Sequence, residues 1–175
     1  MPITPYYTIA NPISRDEIRK FTQLVRHKAG AEKSLYFPVM QFLEWFMPKI
    51  DEEFSLEILP APQMGNCHGK TYPNNHKIFL REDVYERACN DVGRDRFTVS
   101  HEIGHYFMHK PHNVQYARME NPKTIPAYMN PEWQANTFAG ELLVPHHLIA
   151  RMDCSTIVEK CAVSYQVAQI QKSQL

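Results

Sequence analysis

A chain of 175 residues is the length of one domain with a continuous core, and 43% hydrophobic with 22% charged residues is ordinary for a folded protein facing water. Its formal net charge of +0 excludes a chain-wide field that would steer nucleic acid or an anionic membrane to it. Val39 to Met47, an apolar run interrupted by Gln41 and Glu44, is far too short to span a membrane. Met1 to Pro12 lacks the basic start and apolar centre of a secretory signal, and Cys67, Cys89, Cys154 and Cys161 form no CxxC pair, so a cytoplasmic protein with free thiols is expected.

In chain order, Ser14 and Glu17 match a capping box, and Ile18, Phe21, Leu24 and Val25 recur at helical spacing up to a stop at Gly30. Arg15, Arg19, Lys20 and Arg26 on this helix read as a solvated face rather than a nucleic-acid surface. Pro38 opens a second helix with Val39, Phe42, Leu43 and Phe46 on its apolar side, expected to end near Pro48. Phe54 to Ile58 alternates as a half-buried strand does. Two extended pieces, about Met64 to Tyr72 and Lys77 to Arg81, flank the turn-forming Pro73-Asn74-Asn75, which gives a small sheet, antiparallel or mixed. Cys67 and His68 within it are weak metal candidates. Glu82 to Asn90 reads as a short helix, and Asp95 as the cap of a longer one limited by Pro111. His112 to Met129 shows no periodicity and reads as a long loop. Asn130 and Pro131 then start a helix carrying Ala135, Phe138, Ala139 and Leu142 on one face. Residues 153–175 read as a helical extension of a single domain covering 1–175.

The chemistry lies in Ser100-His101-Glu102-Ile103-Gly104-His105. On a helix, residues four apart stack on one face, so both imidazoles reach one small cation. Glu102 lies about a quarter-turn round, badly placed to ligate and well placed to act on a water beside the cation. A catalytic zinc takes three protein ligands. Glu132, in the first turn of the next helix, is the preferred third, because Ala135, Ala139 and Gly140 let that helix pack closely on Gly104. Glu141 is half a circle from Glu132, and Glu120 sits in the loop. His109 extends the histidine face, but three stacked histidines span about 12 Å, too far for one ion. His112, His146 and His147 stay open as alternatives.

Arg96-Phe97-Thr98-Val99-Ser100-His101-Glu102-Ile103-Gly104-His105, then Glu132 with Ala135-Asn136 and Phe138-Ala139, then Leu142-Leu143-Val144-Pro145, resemble the ImmA/IrrE-type metallopeptidases. Gly69, Pro73 and Ile78 to Tyr85 also resemble that family, and Val144 stands where methionine is common. The resemblance implies an α+β, gluzincin-like fold, a small sheet beside the HExxH helix and a second helix that supplies a metal ligand. It implies Zn2+ held by His101, His105 and Glu132, Glu102 as catalytic base, and Asn136 as the partner that orients His101. It further implies a phage-related zinc endopeptidase whose protein substrate is a regulator such as a helix-turn-helix repressor. The oxyanion stabiliser is sought among Tyr116, Arg118, Tyr128, His112 and His146. Two alternatives remain. One is a non-proteolytic metal-binding interaction protein or toxin. The other is a DNA-binding regulator using Ile157 to Cys161 and Gln166 to Gln171 as a helix-turn-helix, disfavoured because only Lys160 and Lys172 are basic there.

Overall fold

The computed structural model describes residues 6–118 and 125–175. It is α+β, with two small sheets and a set of helices around one apolar core. Strand β1 (Tyr6–Ala10) leads into α1 (Arg15–Lys28). The capping box forms as expected, since Glu17 N–H donates to the Ser14 hydroxyl and Ser14 N–H to the Glu17 carboxylate. Gly30 follows the helix at φ +70°, a left-handed stop that glycine adopts without strain. Ile18 and Val25 point into the core, whereas Leu24 is exposed.

Of the four basic residues read as a solvated face, Lys20 is exposed, whereas the three arginines turn to partners within the fold. Arg15 and Arg19 converge on the buried carboxylate of Glu141 at 3.0 and 2.9 Å. Arg26 is itself buried and donates to the carbonyls of Ala31, Ser34 and Leu142. A guanidinium with several donors satisfies exposed carbonyl ends that a shorter side chain would leave unpaired.

The next helix runs on through Pro48 to Ile50 instead of ending near it. Between α2 (Val39–Gln41) and α3 (Met47–Ile50), Phe42–Phe46 widens into a π turn, with Met47 N–H bonded to Phe42 C=O. Proline has no N–H to give to the preceding turn, and a widened turn accommodates that loss.

A three-stranded sheet has the order β2-β4-β3, formed by β2 (Ser55–Leu59), β3 (Gly69–Tyr72) and β4 (Lys77–Arg81). It is mixed: β2 runs parallel to β4, and β3 pairs antiparallel with β4 around the Pro73–Asn75 turn. Alternation along β4 buries Ile78 and Leu80 completely. The Met64 to Tyr72 segment is only partly extended, because α4 (Ala61–Met64) precedes β3.

Helix α5 (Glu82–Cys89) leads to the long α6 (Gly93–Met108). Asp95 is not its cap. The helix starts two residues earlier, and Asp95 is buried in the first turn, where Arg87 grips both its oxygens at 2.9 Å. Arg96 is fully buried and ties Phe37 C=O, Ala162 C=O and Asp91 into one corner. The loop expected over His112 to Met129 contains a strand, β5 (Val114–Arg118), paired antiparallel with β1 from Tyr6↔Arg118 to Ala10↔Val114. Its partner lies more than a hundred residues away, so no local turn signal announces it.

Helix α7 (Pro131–Leu143) packs on α6, with Asn130 as N-cap accepting from Glu132 N–H and Trp133 N–H. A Cβ placed on Gly104 would lie 3.0 Å from Phe138 and 3.3 Å from the Ala135 Cα, so the close approach expected at Gly104 is present. Gly140 serves a different contact, against the Gln171 side chain. Helices α8 (Cys154–Cys161) and α9 (Tyr165–Lys172) join through Ala162 at φ +51°, and bury Ile157, Cys161, Val167 and Ala168. Among the described residues no helix is long and apolar enough to cross a membrane.

Candidate metal centre and active site

Two helices and one strand edge build the site. Helix α6 presents His101 and His105 one turn apart, as the HExxH spacing requires, and α7 presents Glu132 from its first turn. His101 Nε2 lies 2.9 Å from His105 Nε2, and the two nitrogens lie 3.3 and 3.2 Å from the Glu132 carboxylate. One ligand atom from each residue falls within 4.8 Å of the others. The imidazoles are about one-sixth exposed and Glu132 two-thirds exposed, so the set opens to solvent on one side.

The donor chemistry fits a zinc ion: two imidazole nitrogens and one carboxylate oxygen converge with a side left open. The electrostatics agree, because the arrangement attracts positive charge. The His101 and His105 rings, 3.3 and 3.2 Å away, hold the Glu132 carboxyl far below the usual carboxylate range. Burial pulls the His101 pKa down, yet Glu132, Glu102 and Asn136 together leave it raised. Without a cation, a proton is drawn into the same place.

Asn136 Oδ1 sits 2.9 Å from His101 Nδ1. Glu102 is buried at 8% exposure beside the edge strand β3. Thr71 donates its hydroxyl hydrogen to Glu102 Oε2 at 2.5 Å. Gly69 leaves the room, since a Cβ there would stand 2.7 Å from Glu102 Cγ. Residues 69 to 72, His101, Glu102, His105 and Glu132 line a cleft of about 410 Å³. A second hollow of about 430 Å³ shares Thr71, His105 and Glu132 and reaches Tyr7, Thr8 and Val114 of the β1–β5 ribbon. A further hollow of about 530 Å³ beside Phe97, Trp133 and Ile170 contains no ligand set.

Over residues 52–170, the chain matches the family model Peptidase_M78, the IrrE N-terminal-like domain. The chain belongs to that family. The match covers about two thirds of the sequence and includes β2 through most of α9, with every residue of the cluster just described. Membership in a peptidase family points to a protein substrate. No curated protein matches the chain.

The other candidates lie elsewhere. Glu141, on the same helix of this Peptidase_M78 domain, is buried against Arg15 and Arg19. His146 and His147 face the Gln174 and Glu32 carbonyls, and His112 is exposed on the 3-10 turn before β5. Tyr128 is exposed and lines neither part of the cleft. Cys67 is exposed, and neither it nor His68 joins a ligand group among the described residues. Glu120 and the side chains of Tyr116 and Arg118 fall outside what is described. His109 lies outside the converging group and touches His105, Nδ1 to Nδ1, at 2.7 Å. Sequence reasoning missed Gly69 and Thr71 as neighbours of Glu102 and Gln134 as a neighbour of His109. It also missed a second group, in which the His76 ring lies 2.7 Å from Asp51 and 3.2 Å from Glu53, Asp51 also accepting from the Tyr106 hydroxyl.

Proposed function

We propose that the protein is a zinc-dependent endopeptidase of gluzincin-like architecture, with His101, His105 and Glu132 as metal ligands and Glu102 as general base. The observation that carries the reading is the convergence of those three ligand atoms within 4.8 Å, beside a glutamate held by Thr71. Zinc held there would supply Lewis acidity toward a scissile carbonyl and a water of lowered pKa. With Oε2 anchored by Thr71, Glu102 takes the proton of the attacking water on Oε1 and passes it to the leaving amine. Asn136 accepts from His101 Nδ1–H and so turns Nε2 toward Glu132.

An extended peptide suits the surroundings. Strand β3 is at the edge of its sheet, so its outer backbone groups can pair with a substrate strand along the cleft. The cleft continues past His105 and Glu132 toward the β1–β5 ribbon, which leaves room for chain on both sides of the site and favours internal cleavage. The substrate we propose is a regulatory protein such as a helix-turn-helix repressor, cut in the cytoplasm; the family resemblance supports it. The C-terminal helix pair buries Ile157, Cys161, Val167 and Ala168 in the core, which supports a structural role for it rather than DNA binding.

Co-expression with a neighbouring helix-turn-helix regulator tests this reading. Wild type should cleave the regulator, and Glu102→Gln should retain zinc while cleavage falls by about 10²- to 10⁴-fold. Cleavage at the normal rate by Glu102→Gln would overturn the mechanism. A toxin or interaction protein would keep its biological effect in that variant.

A further inference from the structure

The support under His105 differs in kind from that under His101. Asn136 is exposed and holds His101 alone. Behind His105 runs a buried chain of hydrogen bonds whose direction is fixed at its far end. Gln134, 1% exposed, donates from Nε2 to Asn11 C=O at 2.9 Å and to Tyr128 C=O at 2.8 Å. Carbonyl oxygens only accept, so the amide has one orientation and Oε1 must face His109. Oε1 lies 2.9 Å from His109 Nε2, which must therefore carry a hydrogen.

His109 is 8% exposed, and its ring nitrogens meet only Gln134 and His105. A ring that ligates through Nε2 carries its hydrogen on Nδ1 and leaves Nε2 bare. His109 Nδ1, 2.7 Å from His105 Nδ1, is the atom placed to accept that hydrogen, because the hydrogen on His109 Nε2 is already committed to Gln134. The bare nitrogen is the one beside Glu132.

We propose that Gln134 and His109 are positioning residues, forming a one-way hydrogen-bond relay that fixes His105 in the tautomer able to bind metal through Nε2. The inference rests on the metal-site reading above, and it adds that two backbone carbonyls, Asn11 and Tyr128, select the protonation pattern of a ligand two side chains away. Asn136 does the same for His101. The two Nε2 lone pairs then face each other at 2.9 Å beside a carboxylate, an arrangement that a cation relieves. A purely structural chain would show the same tautomers but would leave zinc affinity unmoved in a folded His109→Leu variant, which separates the two explanations.

The experiment is nitrogen-15 NMR of the histidine rings in the full metal-free chain at about pH 9, where imidazoles are neutral, together with zinc affinity from chelator competition. Wild type should show His105 as the Nδ1–H tautomer and His109 as Nε2–H. His109→Leu should shift His105 toward Nε2–H and weaken zinc binding about 10- to 100-fold. His109→Gln, which can accept from His105 and donate to Gln134, should restore affinity to within a few fold. His105 carrying its hydrogen on Nε2 in wild type overturns the relay whether or not His109→Leu folds. Unchanged zinc affinity in a folded His109→Leu overturns it as well. Zinc failing to bind a wild-type protein that shows the expected tautomers would instead overturn the metal-site reading and leave the relay standing.

Discussion

On the proposed mechanism, replacing Gly69 with Ala should lower cleavage about 100-fold while leaving zinc binding unchanged. Gly69 lies in β3 opposite Leu80, with a backbone that alanine also adopts, so the effect is steric. The added Cβ would stand 2.7 Å from Glu102 Cγ, 2.9 Å from Oε1 and 3.0 Å from Cδ. Unstrained carbon atoms meet at about 3.5–4.0 Å, so Glu102 must retreat by roughly 1 Å. It cannot retreat by moving its backbone, because α6 is clamped there by Gly104 against Phe138 and Ala135. The side chain must change rotamer, which pulls Oε2 off the Thr71 hydroxyl. A displacement of that size in a reacting group costs about 10²-fold in rate. Overpacking costs about 1–3 kcal/mol of stability, offset in part because alanine suits a strand better than glycine. The three atoms nearest the added methyl all belong to Glu102, so zinc content should stay at one per chain. The assay is the time course of regulator cleavage, with zinc content and circular dichroism measured on the same preparation. Full activity in a zinc-loaded, folded Gly69→Ala would refute both the placement of Glu102 and its role as base.

Thr71→Val removes the anchor without adding bulk, and should lower kcat by about 10-fold with zinc affinity unchanged, read by cleavage and chelator competition. Glu141→Ala should destabilise the protein by about 3 kcal/mol in urea unfolding, because it strips the buried partner from Arg15 and Arg19, yet leave zinc binding intact. Burial holds His109 down at about 4, against an ordinary value of 6.5. As pH falls, the unfolded chain protonates this group first and so binds more protons between those values. Its contribution to stability is therefore present above about 6.5 and lost as pH falls toward 4, on the order of 3 kcal/mol in all. Urea unfolding of the metal-free protein across that window should show a smaller acid loss for His109→Gln than for wild type.

Much of the site was legible because it is written at short range. The i and i+4 histidines of α6, the intervening Glu102 and the Asn130-Pro131 start of α7 are local patterns, and Gly104 with Ala135 hinted at the packing that brings Glu132 in. What stayed hidden depends on distant chain. The β1–β5 ribbon pairs Tyr6 with Arg118, and neither segment is bounded by a hairpin turn to betray it. Thr71 looks like an ordinary strand residue, and Gly69 stands out only through the family resemblance, until β3 comes to rest along α6. Asp95 had the composition of a cap, but a bidentate arginine eight residues earlier was a stronger partner than free backbone N–H groups. Pro48 looked like a stop because the π turn that absorbs it leaves no sequence signature.

The three proposed ligands are held with unequal strictness. His105 is backed by a buried chain ending on backbone, His101 by one exposed amide, and Glu132 is two-thirds exposed at the open side. Glu132 is nonetheless aimed, because Asn130 caps the helix at its own N–H and the first turn of α7 favours a carboxylate there. Its distance from the histidines is therefore set by how α7 sits on α6, at Gly104, rather than by anything touching the carboxylate. Metal binding and the docking of these two helices are then one equilibrium, and a cation that joins them stabilises the fold as it completes the site. The rigid half of the centre is the half built on one helix. The half that must let substrate in is the one that depends on two.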